Sequence, residues 1–438
     1  MTDRAKKILL LGILAANALA TLLFSWRGSS PLLDGWLLDG TLIAFGRLMG
    51  LALQLTILLQ LILISRLPLI EKPFGFDKLN RAHRTVGYFL IASIVLHPLL
   101  LIAGYAMASQ VSWIAQYKEF LAVWPYVIWA SAAIGLILTA GALALPWIRR
   151  KLKYGTWHGT HLLMYLAVGF AFRHQFNTED LSAGAAFRYW YALNFTVFGV
   201  LIFFRFLKPF LMYARHRFVV ERVVPETDDV TSVYIGGRAM ERFAFDPGQY
   251  IHVSFMKMGL REPHPFSLSM APNNKHLRLS IKNSGDFTSR IRPLLTPGTK
   301  LLLEGPFGRF TERAAAKEKF LFIAGGIGIT PIRSMLEALS KRNADAVLIY
   351  ANRGRRDIAL DAELAALGAR RHDVLSKEEA PGFEHGFVDE EKIKRLVPDF
   401  LERDIYVCGP PVMMDRLIAM FGTLGVPRAR LHYEKFSY

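Results

Sequence analysis

Arg81–Leu101 reads RAHRTVGYFLIASIVLHPLLL, and this stretch sets the terms for the rest of the chain. It is apolar enough to cross a bilayer, yet it holds His83 near its start and His97 further in. Ionisable groups inside a membrane helix are costly and mark function by default. On an ideal helix, fourteen residues rise about 21 Å and leave the two side chains roughly 40° apart in azimuth. One imidazole therefore lies in each half of the membrane. A lone pair of this kind also fits two satisfied helix-interior histidines.

A second stretch, Gly155–His174 (GTWHGTHLLMYLAVGFAFRH), repeats the arrangement. His161 and His174 are thirteen residues apart, a rise of about 20 Å, so two helices offer one imidazole each at two matching depths. That is what two stacked b-type haems require, each iron held by a histidine above and below. Thirteen residues leave the side chains about 140° apart, so this helix is expected to bend, bulge or wrap. His158 is left over and reads as an interfacial residue.

Around these helices the first half of the chain is membrane-like and the second half is ordinary globular sequence. Six spans are expected, near 8–25, 41–65, 82–106, 121–146, 156–174 and 190–211, each close to the ~20 residues a bilayer needs. One set of loops carries Arg4, Lys6, Lys7, Arg66, Lys72, Lys78, Arg81, Arg84, Arg149, Arg150, Lys151 and Lys153, while the other carries Arg27, Lys118, Arg173 and Arg188. Twelve cations against four place both termini in the cytoplasm. His83 and His161 then lie at the inner depth, His97 and His174 at the outer. The net charge of +17 invites a nucleic-acid reading. Membrane-flanking loops account for much of it, no interleaved basic–aromatic motif stands out, and the lipid bilayer is the expected partner. Cys408 is the single cysteine, which excludes a disulfide framework and a cysteine-based metal site. Arg47 interrupts the outer part of the second span, and two readings stand: snorkelling to the interface, or a cation beside the outer haem that meets a propionate or an anionic product.

From about Arg215 the periodicity changes to short β-rich runs, RFVVERVV, DDVTSVYIG, YIHVSF, LRLSIKN and KLLLEG, divided by turns. Closely spaced short strands predict a small antiparallel β-barrel. Within it, His264-Pro265-Phe266-Ser267 is expected to break regular pairing at the proline and to meet a flat ring and its polar edge. Gly285-Asp286-Phe287-Thr288 reads as a turn whose N–H groups and hydroxyl suit a pyrophosphate. Beyond Phe310, strands alternate with helices, the pattern of a parallel α/β sheet. The strand at 320–323 enters Gly325-Gly326-Ile327-Gly328, with Thr330 placed to cap the next helix and Pro331 suited to its first position. Such a turn brings backbone to a phosphate, or serves packing alone. Arg353, Arg355 and Arg356 follow the next strand, where they suit an adenosine 2′-phosphate and hence NADPH, or form a solvated charge run. Cys408-Gly409-Pro410-Pro411 sits at a third strand end. Near the terminus, Phe436 is either part of a frayed tail or a ring that covers a flavin.

These motifs together resemble a bacterial NADPH oxidase within the wider ferric reductase superfamily, and the resemblance covers nearly the whole chain. It implies a six-helix all-α transmembrane bundle (1–213), an antiparallel β-barrel FAD domain (214–313) and an α/β parallel-sheet NADPH domain (314–438). The histidines resemble the haem ligands of that family. His264 and Ser267 resemble residues that contact FAD, and Gly285–Thr288 resembles its pyrophosphate turn. Gly325, Gly326, Gly328, Thr330, Pro331, Gly409 and Pro410 resemble the nicotinamide-binding segments, with Cys408 beside the nicotinamide. Phe436 matches the terminal aromatic, and Arg47 an arginine near an oxygen-reducing site. One departure is Leu101, where many relatives have a second histidine one turn after His97. The implied activity takes electrons from NADPH through FAD and two b-type haems to an extracytoplasmic acceptor, O2 or a ferric chelate, across a bacterial plasma (inner) membrane. An electron conduit to a partner protein, or a transporter or sensor using histidines for protons, are the rivals. No calcium loop or activation segment is apparent, so constitutive activity is expected, and no obligate regulatory subunit is evident.

Overall fold

The computed structural model describes residues 3–30, 32, 37–152, 154–175 and 184–434; Lys153 and Phe436 lie outside them. The chain folds as two compact units, Met1–Leu207 and Lys208–Tyr438.

The first unit is all helical. Its elements are α1 (Asp3–Ser29), α2 (Leu38–Ile64), α3 (Pro68–Phe74), α4 (Phe76–Ala108), α5 (Trp113–Val123), α6 (Val127–Ala144), α7 (Pro146–Arg149), α8 (Tyr154–Gln175) and α9 (Gly184–Leu201), then a π-helical turn, Ile202–Leu207. Among the described residues, five stretches are long and apolar enough to cross a membrane: Arg4–Ser29, Leu38–Ile64, Lys78–Ala108, Val127–Ala144 and Gly184–His216. This is a membrane protein. α8 has the length, 22 residues, but its histidines and other polar residues keep it outside that set. It is one continuous α-helix from Tyr154 to Gln175, so of the expected bend, bulge or wrap the bulge is absent.

The span expected at 121–146 is divided. Pro125 has no N–H to donate and disfavours the helical conformation in the residue before it. Trp124 accordingly sits at φ −122°, ψ 82°, ending α5 before α6 begins at Val127. Within the bundle α2 packs along α4 and α6 along α8. Their shared core joins Ile57, Leu90, Ile94, Ile137 and Ala167, one or two residues from each of the four helices.

The second unit opens with α10 (Lys208–His216) and then carries two three-stranded antiparallel sheets. One has the order β1 (Val219–Pro225), β2 (Val230–Gly236), β5 (Leu277–Lys282). The other has the order β4 (His264–Ser267), β3 (Tyr250–Phe255), β6 (Leu301–Phe307). Isolated bridges Val219–Lys300 and Leu268–Leu279 link the two sheets. The expected break at Pro265 does not occur: Pro265 pairs opposite His252 inside β4. β4 is an edge strand, where a missing N–H can face away from the ladder. Phe218, Val233, Ile251, Leu279 and Leu303, all fully buried, fill the space between the sheets.

After a short helix α11 (Ile291–Leu294), a six-stranded parallel sheet follows. Its strands are β7 (Lys319–Gly325), β8 (Asp345–Asn352), β9 (Arg370–Leu375), β10 (Glu384–His385), β11 (Asp404–Cys408) and β12 (Leu431–Tyr433), with helices α12 (Ile329–Ser340), α13 (Asp361–Ala366), α14 (Glu390–Leu396) and α15 (Pro411–Thr423) between them. The spatial order is β10-β9-β8-β7-β11-β12. The chain runs outward from β7 in one direction, then returns to β11 on its other side. The switch point is therefore the gap between the carboxyl ends of β7 and β11, the place where such sheets bind ligands.

Candidate functional site

Three clusters hold the residues singled out by the sequence. In the helical unit, the His83 and His161 rings face each other from α4 and α8 with centroids 6.3 Å apart and planes at 79°. Gln60 of α2 donates to the His83 carbonyl at 3.0 Å. Trp157, one turn before His161, stacks on it at 5.4 Å with planes 20° apart. Nδ1 of His83, His161 and His174 is buried with no hydrogen-bond partner. Buried polar atoms are rarely left so, and an imidazole in this state is available to a metal or cofactor.

His97 is held differently. Its Nδ1 lies 2.8 Å from the Gly46 carbonyl oxygen. A carbonyl only accepts, so Nδ1 carries the proton and Nε2 presents its lone pair, the tautomer a metal ligand needs. Gly50 makes room for the ring, since a Cβ there would fall 2.7 Å from His97 Cε1. Gly46 likewise admits Leu101, whose Cδ2 would lie 2.8 Å from a Cβ at that position. Leu101 is thus packed against α2. His174 lies with its ring 5.5 Å from Tyr126. Arg47, half-buried, donates to the Gly28 carbonyl at 3.4 Å and to the Tyr105 hydroxyl at 3.3 Å. Neither Gly46, Gly50 nor Tyr105 was legible as a site residue, because each partner lies about fifty residues or more away along the chain.

In the two-sheet region, the His264 ring stacks on Phe287 at 3.7 Å, and Phe266 lies 6.4 Å from the same ring at 28°. Phe287, read from the sequence only as part of a turn, joins the two motifs. Burial pushes the His264 imidazole below its ordinary range, against the pull of the Glu262 carboxylate 3.6 Å away. Ser267 is buried opposite Tyr250. The Thr288 hydroxyl is turned inward: it accepts from the Ser284 and Gly285 N–H groups at 2.9 and 3.0 Å and donates to the Gly285 carbonyl. It shapes the turn, and one of the N–H groups expected to face a phosphate, that of Gly285, is already engaged.

At the switch point the glycines divide by role. A Cβ on Gly325 would strike Met413 and Pro410, one on Gly328 the Cys408 carbonyl at 2.2 Å, and one on Gly409 the Gly325 backbone. These three let the loops after β7 and β11 close on each other. Gly326 has φ +50° with open space beyond its Cα, so it is the one free to meet a ligand. Thr330 does not cap α12. The turn Gly326–Gly328 runs into the helix, Gly328 is its N-cap, and Thr330 lies inside, donating to the Ile327 carbonyl at 3.0 Å. Pro331 remains within the first turn, where no N–H is required. Cys408 is fully buried, and burial together with the nearby Glu434 carboxylate pushes its thiol well up. Arg353 is exposed at the end of β8, while Glu378 holds Arg355 at 2.6 Å.

The comparisons with known proteins follow the same division. Residues 49–172 match the "Ferric reductase like transmembrane component", 215–311 the "FAD-binding domain" and 322–417 the "Oxidoreductase NAD-binding domain". The fold and these matches define an NAD(P)H-dependent membrane oxidoreductase. The chain joins a ferric reductase-like transmembrane domain to an FAD- and NAD-binding module, the domain set of the ferric reductase/NADPH oxidase superfamily.

Curated relatives include a flavohemoprotein of Burkholderia sp. (strain TH2), 32% identical over 50% of this chain and 58% of that protein. The glycine betaine monooxygenase reductase subunit of Pseudomonas aeruginosa is 28% identical over 51% of this chain and 64% of its own length. The chain thus spans about three-fifths of the relatives it matches. Among solved structures, the FAD/NAD-binding domain of nitric oxide dioxygenase from Vibrio cholerae O1 biovar El Tor covers 51% of this chain and 98% of its own, at 28% identity and TM-score 0.46.

Proposed function

We propose that this chain takes electrons from NADPH on the cytoplasmic face of a bacterial plasma membrane and delivers them singly to an acceptor on the far side, foremost O2, which leaves as superoxide. The observation that carries the reading is the 6.3 Å separation of the His83 and His161 rings. Two metal–nitrogen bonds of about 2 Å each, plus the reach from each nitrogen to its own ring centre, span about that distance. The unpartnered imidazole nitrogens and the prepared tautomer of His97 fit the same group. FAD would turn a hydride's electron pair into single electrons, and two b-type haems would supply one-electron carriers within the membrane.

In this reading His83 and His161 form the inner ligand pair, and His97 and His174 the outer. His264, Pro265, Phe266 and Ser267 seat the flavin, with Gly285 and Thr288 shaping the turn beside its pyrophosphate. Gly326 brings backbone to NADPH, Arg353 takes its 2′-phosphate, and Pro410 and Cys408 floor the nicotinamide site. Phe436 covers the flavin. Residues 1–213, 214–313 and 314–438 are the bis-haem, FAD and NADPH domains. All six long helices cross the membrane, α8 included, with both termini cytoplasmic. The two small sheets act as one six-stranded barrel closed through the two bridges.

With His97 and His174 both committed to holding the outer group, the acceptor would meet the outer edge of the site, near Arg47. A second reading, ferric-chelate reduction, is favoured by the match of residues 49–172. Leu101, packed on Gly46, opens no space there for a bulky chelate. Purified protein with NADPH is expected to reduce a dye in a superoxide-dismutase-sensitive manner, faster than it reduces ferric chelate without oxygen. The reverse ranking makes it a ferric reductase, and NADPH oxidation that awaits a cell extract makes it a conduit. Lack of a reducible low-spin b-type haem spectrum overturns the reading. His97→Ala or His174→Ala should leave flavin reduction by NADPH intact and stop reduction of the acceptor.

A further inference from the structure

A cation lies two ring contacts from the first histidine pair. Arg149 ends the short helix α7, and its Cζ sits 4.4 Å from the centroid of the Trp157 ring. Trp157 in turn lies stacked on His161 at 5.4 Å and 20°, the two residues being neighbours one turn apart on α8. His161 meets His83 edge-on. The order is therefore guanidinium, indole, imidazole, imidazole. Arg149 also donates to the Leu152 carbonyl at 3.3 Å, which fixes the guanidinium over the indole. A guanidinium keeps its charge at any relevant pH, and tryptophan is the best face for holding it.

We propose that Arg149 and Trp157 are positioning and tuning residues for the inner ligand pair: the indole fixes the plane of His161, and the guanidinium it carries biases the iron held by His83 and His161 towards its reduced state. The proposal rests on the bis-haem reading above. Its physical basis is simple. Reduction removes one unit of positive charge from the centre, so a fixed cation nearby favours the reduced form. At about 10 Å and an effective dielectric of about 20, one charge changes a one-electron equilibrium by roughly tenfold. The consequence is directional: the inner centre becomes the better acceptor for an electron arriving from the cytoplasmic side.

The test is a potentiometric titration of the detergent-purified holoprotein, read from its visible absorbance. Arg149→Gln should raise the ferric-to-ferrous ratio of one of the two centres about tenfold at fixed poise, a move of 59 mV to more negative potential for one electron, and leave the other centre where it was. Arg149→Lys, which keeps the charge, should retain the greater part of the wild-type value. Trp157→Phe keeps an aromatic face between the two groups and should move the same wave by less than Arg149→Gln. A stack that serves packing alone would alter haem content or melting temperature without moving a single wave. No shift in Arg149→Gln, or an equal shift of both waves, overturns the proposal while the bis-haem reading stands. Wild-type protein without a reducible haem spectrum sinks both.

Discussion

Gly50→Ala tests the second histidine pair without touching a histidine. A methyl group at Gly50 would lie 2.7 Å from His97 Cε1 and 2.9 Å from its Nδ1. Non-bonded carbons settle no closer than about 3.5 Å, so the ring must retreat by roughly 0.8 Å. The Gly46 carbonyl holds that ring at 2.8 Å. A retreat of this size stretches the bond past the limit of a hydrogen bond. Losing it costs about 1 kcal/mol, and overpacking adds about 1–3 kcal/mol. A total of roughly 2–4 kcal/mol weakens the grip of that site some thirty- to several-hundred-fold. Haem content by pyridine haemochrome should fall to about half of wild type, with the remaining spectrum that of one bis-histidine centre. Gly135→Ala is the matched control, since open space surrounds that helical glycine. A full haem complement with an unchanged spectrum in Gly50→Ala would refute the assignment of His97.

Three further outcomes are expected. Arg353→Ala should raise KM for NADPH more than for NADH, and equal increases would count against a 2′-phosphate contact. Cys408, fully buried with its thiol pushed up by burial and by Glu434, should resist alkylation at mildly alkaline pH until the protein unfolds; labelling of native protein at the rate of a free thiol would contradict this. Arg278→Met removes a buried guanidinium that pairs with Glu363 at 2.6 Å, and Glu363 is partly exposed, so the cost should be about 1–3 kcal/mol. Burial alone would raise the Glu363 carboxyl, but Arg278 and Arg333 draw it below its ordinary value. A carboxyl lowered on folding stabilises above its unfolded value, about 4.3, and that contribution fades as pH falls through the folded value. The gap in melting temperature between wild type and Arg278→Met, read from flavin fluorescence, should therefore narrow as pH falls below the ordinary carboxyl value; a constant gap would exclude the pair as its origin.

Local signals carried much of the architecture. The β-rich runs and the strand–glycine–helix run at 319–340 became strands and helices close to where periodicity put them. What local sequence hid was long-range. Pro125 is visible in the sequence, but the apolar run around it reads as one span until Trp124 is seen to leave the helical region. Pro265 looked like a break because strand edges are not marked in a sequence. The glycines at 325, 328 and 409 read equally well as phosphate-binding or packing residues, and only the closeness of two loops some eighty residues apart separates their roles from that of Gly326. The same holds for the charges that tie the two halves of the second unit together. Arg278 of β5, Arg333 of α12 and Glu363 of α13 come from three separate stretches.

On the proposed reading the two ligand pairs are tuned in opposite senses, and this bears on the acceptor. Nδ1–H of His97 donates to a backbone carbonyl, which makes the imidazole a stronger base and favours the oxidised iron. At the other pair neither Nδ1 has a hydrogen-bond partner, and an indole carrying a cation stacks on His161, which favours the reduced iron. The outer centre is then the stronger reductant of the two. That suits a poor one-electron acceptor such as O2 better than a readily reduced one. It also fixes which wave belongs to which site. The more negative of the two waves should vanish in Gly50→Ala and stay in place in Arg149→Gln. If the less negative wave vanishes instead, the tuning is reversed, and the preference for oxygen loses its energetic basis.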